Sequence, residues 1–95
     1  MSAYIIVDID IFDPAGFADY RKNIVELVQK YGGEYVAVSD CIETLEGDWR
    51  PPRIVMIEFE SMKRAKEWFS CAEYRPLCEI RKRTAKTKMI LVEGT

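Results

Sequence analysis

The chain has 95 residues, 32% of them charged and 48% hydrophobic, with a formal net charge of −2. That length is expected to form one domain, residues 1–95, with a modest core. Interleaved acids and bases argue against broad attraction to nucleic acid, and no apolar run approaches the ~20 residues of a membrane span. There is no histidine, and Cys41, Cys71 and Cys78 form no Cys-x-x-Cys pair. Neither metal nor cofactor is therefore expected, and no Ser-His or Cys-His nucleophile can be assembled. Met1–Tyr4 places no basic segment before Ile5-Ile6-Val7, so a cytoplasmic location is the default expectation.

Ala3 to Ile11 alternates as a strand: Ala3, Ile5, Val7, Ile9 and Ile11 make one apolar face, and Tyr4, Ile6, Asp8 and Asp10 a mixed one. Asp13-Pro14 reads as the N-cap and first position of a helix, with Phe12 and Phe17 placed as a hydrophobic staple. Phe17, Tyr20, Ile24, Leu27, Val28 and Tyr31 recur at helical spacing, while Arg21, Lys22, Glu26 and Lys30 lie mainly off that stripe. Gly32-Gly33 ends the helix, with Gly32 free to turn left-handed.

Glu34 to Val38 is a second strand, expected to kink at Ser39-Asp40 and continue through Cys41 to Leu45. The polar, proline-stiffened segment Asp48–Pro52, with Trp49 and Arg50, forms a loop before a third strand at Arg53–Phe59. The two strands have no helix between them and pair as an antiparallel hairpin. Ser61 caps a second helix carrying Met62, Ala65, Trp68 and Phe69, with Trp68 and Phe69 expected in the core. Ser70-Cys71-Ala72-Glu73 fits a capping box stapled by Phe69 and Tyr74. A turn at 71–75, a helix from about Pro76 to Ala85, and a last strand at Lys88–Glu93 complete the chain. The cluster Arg81, Lys82, Arg83, Lys86 and Lys88 reads mainly as a positive helix end complementing the helix dipole.

The order strand-helix-strand-strand-helix-strand with right-handed crossovers predicts an α+β, ferredoxin-like antiparallel sheet carrying helices on one face. The helix-free face then holds Tyr4, Ile6, Ile54, Met56 and Tyr35 or Val36 beside Asp8, Asp10 and Glu58. It is too apolar for water and too acidic for a dry core. A second copy would cover it, so a homodimer packed sheet to sheet, a dimeric α/β barrel with a partly polar cavity, is expected.

These residues also resemble a known family. Tyr4 and the alternating first strand, Asp13-Pro14, Lys30-Tyr31-Gly32-Gly33, Leu45-Glu46-Gly47-Asp48-Trp49-Arg50-Pro51, Ile57-Glu58-Phe59, Ala65-Lys66-Glu67-Trp68-Phe69, Glu73-Tyr74 and Leu91-Val92-Glu93-Gly94 are similar to the DUF1330 family of the dimeric α/β-barrel superfamily. The resemblance spans nearly the whole chain and implies a ferredoxin-like homodimer. It implies no particular activity, because related branches include cofactor-independent monooxygenases, small-molecule isomerases and haem enzymes.

Candidate chemistry is read from the residues. Asp8, Asp10 and Glu58 share the mixed face, where crowded carboxylates suit general acid or base work. Solvation at the strand ends, or pairing with Arg50 or Arg53, is the plainer reading. Trp49 with Arg50 and Arg53 suits a flat anionic or aromatic ligand, by stacking and forked hydrogen bonds, or else Trp49 plugs the barrel. Tyr4, Tyr35 and Tyr74 can each donate a phenol to the cavity. The expectation is a small-molecule protein that binds or transforms an organic acid or aromatic metabolite, by proton transfer or cofactor-free oxidation. The alternative is a non-catalytic domain whose inward face only builds the dimer.

Overall fold

Strict alternation along the first strand decides how the sheet is used. In the computed structural model, which describes residues 1–95, that strand is β1 (Ala3–Ile11). It is followed by α1 (Pro14–Lys30), β2 (Glu34–Ser39), β3 (Ile54–Phe59), α2 (Met62–Ser70), α3 (Tyr74–Thr84) and β4 (Ala85–Glu93). The strand order is β2-β3-β1-β4, and every pairing is antiparallel. This is the ferredoxin-like arrangement, with β1 and β3 central. Ala3, Ile5, Val7 and Ile9 are buried against the helices, while Tyr4, Ile6 and Asp8 on the opposite face are only half-buried. The molecule measures 16 Å along its shortest axis, the depth of one sheet and one helix layer, so the second face of the sheet is uncovered.

Local signals explain most element ends. The Asp13 carboxylate accepts from the Gly16 amide at 3.1 Å, capping α1. Gly32 closes that helix at φ +81°. Ser61 Oγ accepts from the Arg64 amide at 3.1 Å and caps α2. The core gathers Ile5, Phe59, Val28, Trp68 and Tyr74 around this frame. Trp68 stacks within 4.6 Å of Tyr74 and 5.7 Å of Phe59, centroid to centroid.

Several expectations are corrected. The second strand does not resume at Cys41–Leu45: it ends at Ser39, whose Oγ accepts from the Cys41 amide at 2.9 Å and turns the chain away. The capping box at Ser70–Glu73 does not form. Ser70 Oγ instead donates back to the Lys66 carbonyl at 2.7 Å, and the Glu73 carboxylate is drawn 43 residues back to Lys30 Nζ at 2.6 Å. Helix α3 starts two residues before Pro76, which then occupies its first turn, where a missing N–H costs nothing. It passes directly into β4, which begins at Ala85 and not Lys88. Phe69 and the staple residue Phe12 are largely exposed, whereas Arg81, which does stand in the basic last turn of α3, is only 4% exposed.

A bulge between Tyr35 and Ala37 in β2 also changes the sheet's faces. Tyr35 pairs with Ile57, and Val38 with Val55, so both lie on the helix side. Ala37 pairs with Met56 on the open side.

Candidate functional site

On or beside the open face of the sheet lie six of the nine residues singled out from the sequence: Tyr4, Asp8, Asp10, Trp49, Arg50 and Glu58. Tyr4 OH donates to Glu58 Oε2 at 3.4 Å across the β1–β3 pair. The Asp48–Pro52 loop folds back so that Trp49 Nε1 donates to Asp8 Oδ2 at 2.9 Å, while Thr44 Oγ1 donates to the Trp49 carbonyl at 2.7 Å. Register sets Asp8 opposite Lys88 and Asp10 opposite Lys86. Asp10 and Arg50 are exposed, and neither makes an ion pair, since the only two ion pairs are Lys30–Glu73 and Arg64–Glu67. Around these polar groups stand Ile6, Met56 and Ile54, half-buried, with Ile90 58% and Val92 41% exposed. Exposed apolar side chains grouped on one face in this way mark a candidate contact surface.

Tyr35, Tyr74 and Arg53 do not join that group. All three lie on the helix side, where the chain encloses a cavity of about 370 Å³ that sequence reasoning did not anticipate. Its floor is a row of small side chains crossing the sheet in register, Val38–Val55–Val7, with Met89 completing the row. Its roof is the face of α1 bearing Phe17, Tyr20, Arg21, Ile24 and Val25. Helix α1 packs on α3 and, through Phe17, Ile24 and Val28, shares the core with the strands; between these contacts the short β-branched floor residues leave the space open. Trp68 and Arg81 form the inner end.

The cavity is apolar and cationic. Of its fifteen lining residues twelve are hydrophobic, and the other three are Arg21, Arg53 and Arg81, with no carboxylate among them. Arg81 is buried without an acidic partner. Its Nη2 donates to Tyr74 OH at 3.1 Å and Cys78 Sγ at 3.2 Å, and its Nη1 donates to Thr87 Oγ1. Two buried donors have no partner in the chain, Arg81 Nε and Trp68 Nε1, and both residues line the cavity. A buried guanidinium lacking an anion is costly by several kcal/mol, and unsatisfied buried donors add to that cost. Burial works against the Arg81 charge, but the Tyr74 and Tyr20 phenols and Cys78 outweigh it and hold its pKa above the usual arginine value. Burial raises the phenol of Tyr20, with Tyr74 beside it adding to the effect. Burial likewise pushes Tyr35 up to about 12 and raises Tyr74, partly offset by Arg81. Near neutral pH these phenols are hydrogen-bond donors and not bases.

The signal for this site was present but masked by a rule of thumb. Arg81 follows Tyr74 by seven and Cys78 by three, and Arg21 follows Phe17 by four, all helix-face spacings. Reading Arg21 as lying off the apolar stripe and Arg81 as part of a positive helix end hid both.

Solved structures with this fold place the chain among small α+β proteins. A protein of unknown function from Rhodopseudomonas palustris, RPA0582, is similar at TM-score 0.77 and 16% identity, covering 99% of this chain and 82% of that one. SnoaB, a cofactor-independent oxygenase from Streptomyces nogalater, is similar at TM-score 0.71 and 9% identity, with 99% and 93% covered. A protein from Bacteroides fragilis described as dimeric and ferredoxin-like is similar at 0.62 and 14%, with 98% and 96% covered. At these identities the likeness shows the fold alone. No curated protein matches the chain. No helix is long and apolar enough to cross a membrane. Residues 2–95 match the domain of unknown function DUF1330, and the chain belongs to that family.

Proposed function

We propose that this protein binds a small apolar organic acid, or an aromatic metabolite in anionic form, in the cavity between α1 and the sheet. The observation that carries this is a cavity of about 370 Å³ walled by hydrophobic groups and three arginines, with no acid to balance them. The volume lies within the usual range for small-molecule sites. Arg81 is the anion anchor, and Trp68 and the tyrosines supply flat walls and donors. Of the two reactions considered from sequence, cofactor-free oxidation of a bound anion suits these walls better than proton transfer. The cavity stabilises negative charge but offers no carboxylate or imidazole to take a proton. Its likeness in fold to a cofactor-independent oxygenase is consistent with that reading.

Asp8, Asp10, Glu58, Tyr4, Trp49 and Arg50 belong to a second role in this proposal. They sit on or beside the open sheet face, where a second copy packs and turns the pair into a dimeric barrel. The exposed Ile90 and Val92, and the dimeric description of a neighbour of like fold, support this. In that arrangement their polar groups face the partner and not the ligand. Ile90→Glu, at a position exposed within one chain, is expected to give folded monomers in sedimentation; unchanged dimers would refute the sheet-to-sheet contact.

The ligand reading is tested in a Trp49→Phe background, which leaves Trp68 as the only indole, since the chain has two tryptophans. Titrating aromatic carboxylates and phenols is expected to quench Trp68 and raise the melting temperature, and Arg81→Met to abolish both responses. No response to any member at millimolar concentration would sink the reading.

A further inference from the structure

The arginines of the cavity are not equivalent. Arg81 closes the inner end and is buried, whereas Arg21 is exposed and Arg53 half-buried. The other exposed members of the lining are Val25, on α1 one turn past Arg21, and Val38, on β2. The cavity therefore opens between α1 and the β2–β3 side of the sheet, and both outer arginines stand at that mouth.

Each is directed there by its element. Arg21 falls between Phe17 and Ile24 on the roof stripe, and its guanidinium lies 5.2 Å over the Phe17 ring. Though exposed, it is folded back along the rim of the cavity wall. Alternation puts Arg53 on the same face as Val55 and Ile57, and its carbonyl accepts from the Ile9 amide at 3.1 Å, which fixes the backbone at the rim. Neither arginine has a carboxylate within ion-pair distance. Two unpaired guanidinium groups at the rim of a low-dielectric cavity focus positive potential on whatever enters it.

We infer that the ligand is two-ended: an apolar body carrying one acidic group that reaches Arg81 and a second that stays at the mouth between Arg21 and Arg53. This rests on the binding role proposed above and narrows it to dianions, such as an aromatic dicarboxylate or a ring acid bearing a second ionisable oxygen. A monoanion satisfies only the inner site. A rim pair of this kind contributes through charge-assisted hydrogen bonds, so it is expected to be worth about tenfold in affinity.

The test uses naphthalene dicarboxylate, naphthoate and naphthol with the Trp49→Phe protein, followed by Trp68 quenching at low and high salt. The dicarboxylate is expected to bind about tenfold tighter than naphthoate, with that advantage shrinking in salt. Arg21→Gln with Arg53→Gln is expected to lower dicarboxylate affinity to the naphthoate level and leave naphthoate unchanged. Arg75→Gln, exposed and outside the cavity, controls for net charge and is expected to change neither. Equal affinity for the two acids, or a double variant that weakens both by one factor, overturns the two-ended ligand while leaving the cavity reading intact. Failure of all three compounds to bind overturns both.

Discussion

Replacing Val55 by phenylalanine separates a cavity built for a ligand from a core that is merely loose. Val55 lies in the middle of the floor, flanked in register by Val7 and Val38, and is half-buried beneath the open space. The substitution adds four carbons, and at about 0.8 kcal/mol per buried carbon the ceiling is about 3 kcal/mol. Lost rotamer freedom takes back roughly 0.5–1 kcal/mol, leaving a gain of about 2 kcal/mol. For a chain of this length, that is a rise in melting temperature of roughly 8–16 °C. Calorimetry at matched protein concentration measures it, because any self-association makes the midpoint depend on concentration. Aromatic acids should at the same time stop quenching Trp68, since the ring occupies their place. A tightly packed interior gives the opposite sign: forcing a ring into it costs about 1–3 kcal/mol and lowers the midpoint. A destabilised Val55→Phe protein would show that the space is not available, and the ligand proposal would go with it.

Three further outcomes follow from local geometry. A Cβ added at Gly33 would stand 2.6 Å from Val28 Cγ1 and 2.8 Å from Phe59 Cε1, so Gly33→Ala should cost about 1–3 kcal/mol in urea unfolding; a neutral result would mean the α1–β2 junction can shift. Trp49→Phe removes the donor to Asp8 at a site 60% exposed, and should cost no more than about 1 kcal/mol, with faster proteolysis of the loop as the sensitive readout and unaltered cleavage as the contrary one. Tyr20, Tyr35 and Tyr74 have raised phenol pKa values, with Tyr35 at about 12. The folded chain thus keeps protons that the unfolded chain gives up above about pH 10. Stability is complete below that pH and is lost as pH climbs toward 12, so phenolate absorbance should show these tyrosines ionising only with unfolding, whereas ionisation of all of them near pH 10 in folded protein would contradict their burial.

The fold was readable because its signals are local and mutually consistent. Alternation in β1, the Asp13-Pro14 start, Gly32 at the helix end and Ser61 before α2 each correspond to a bond or dihedral observed. Errors arose where a long-range partner outcompeted a local one, as when Lys30 took Glu73 from its expected cap. The bulge in β2 was invisible for a similar reason: Glu34–Ser39 alternates well enough, and only pairing with β3 shows that one residue is extra. That single residue moves Tyr35 from one face to the other. The site was legible only in part because a cavity is a missing volume. Periodicity reports which residues face inward, but three valines meeting in one row depends on register, which no single segment encodes.

The two faces of the sheet are connected by β1 and β3, and this has a mechanical consequence for binding. The residues Val7, Ile9, Val55 and Ile57 that line the cavity alternate along the same strands with Ile6, Asp8, Ile54 and Met56 on the open face. A second sheet pressed on that face would hold the floor of the cavity from below, so floor residues could not sink to fill the space above them. Helix α1, which meets the strands through side chains such as Phe17 and Ile24 and packs also on α3, would be the wall left to move. Pairing of two chains would then keep the cavity open at little cost in flexibility, the condition under which a small ligand binds without first ordering its site. A monomeric variant that still folds should accordingly bind aromatic acids more weakly, even though no partner residue reaches the ligand. Equal affinity in monomer and dimer would show that the floor is rigid by itself and that the open face serves assembly alone.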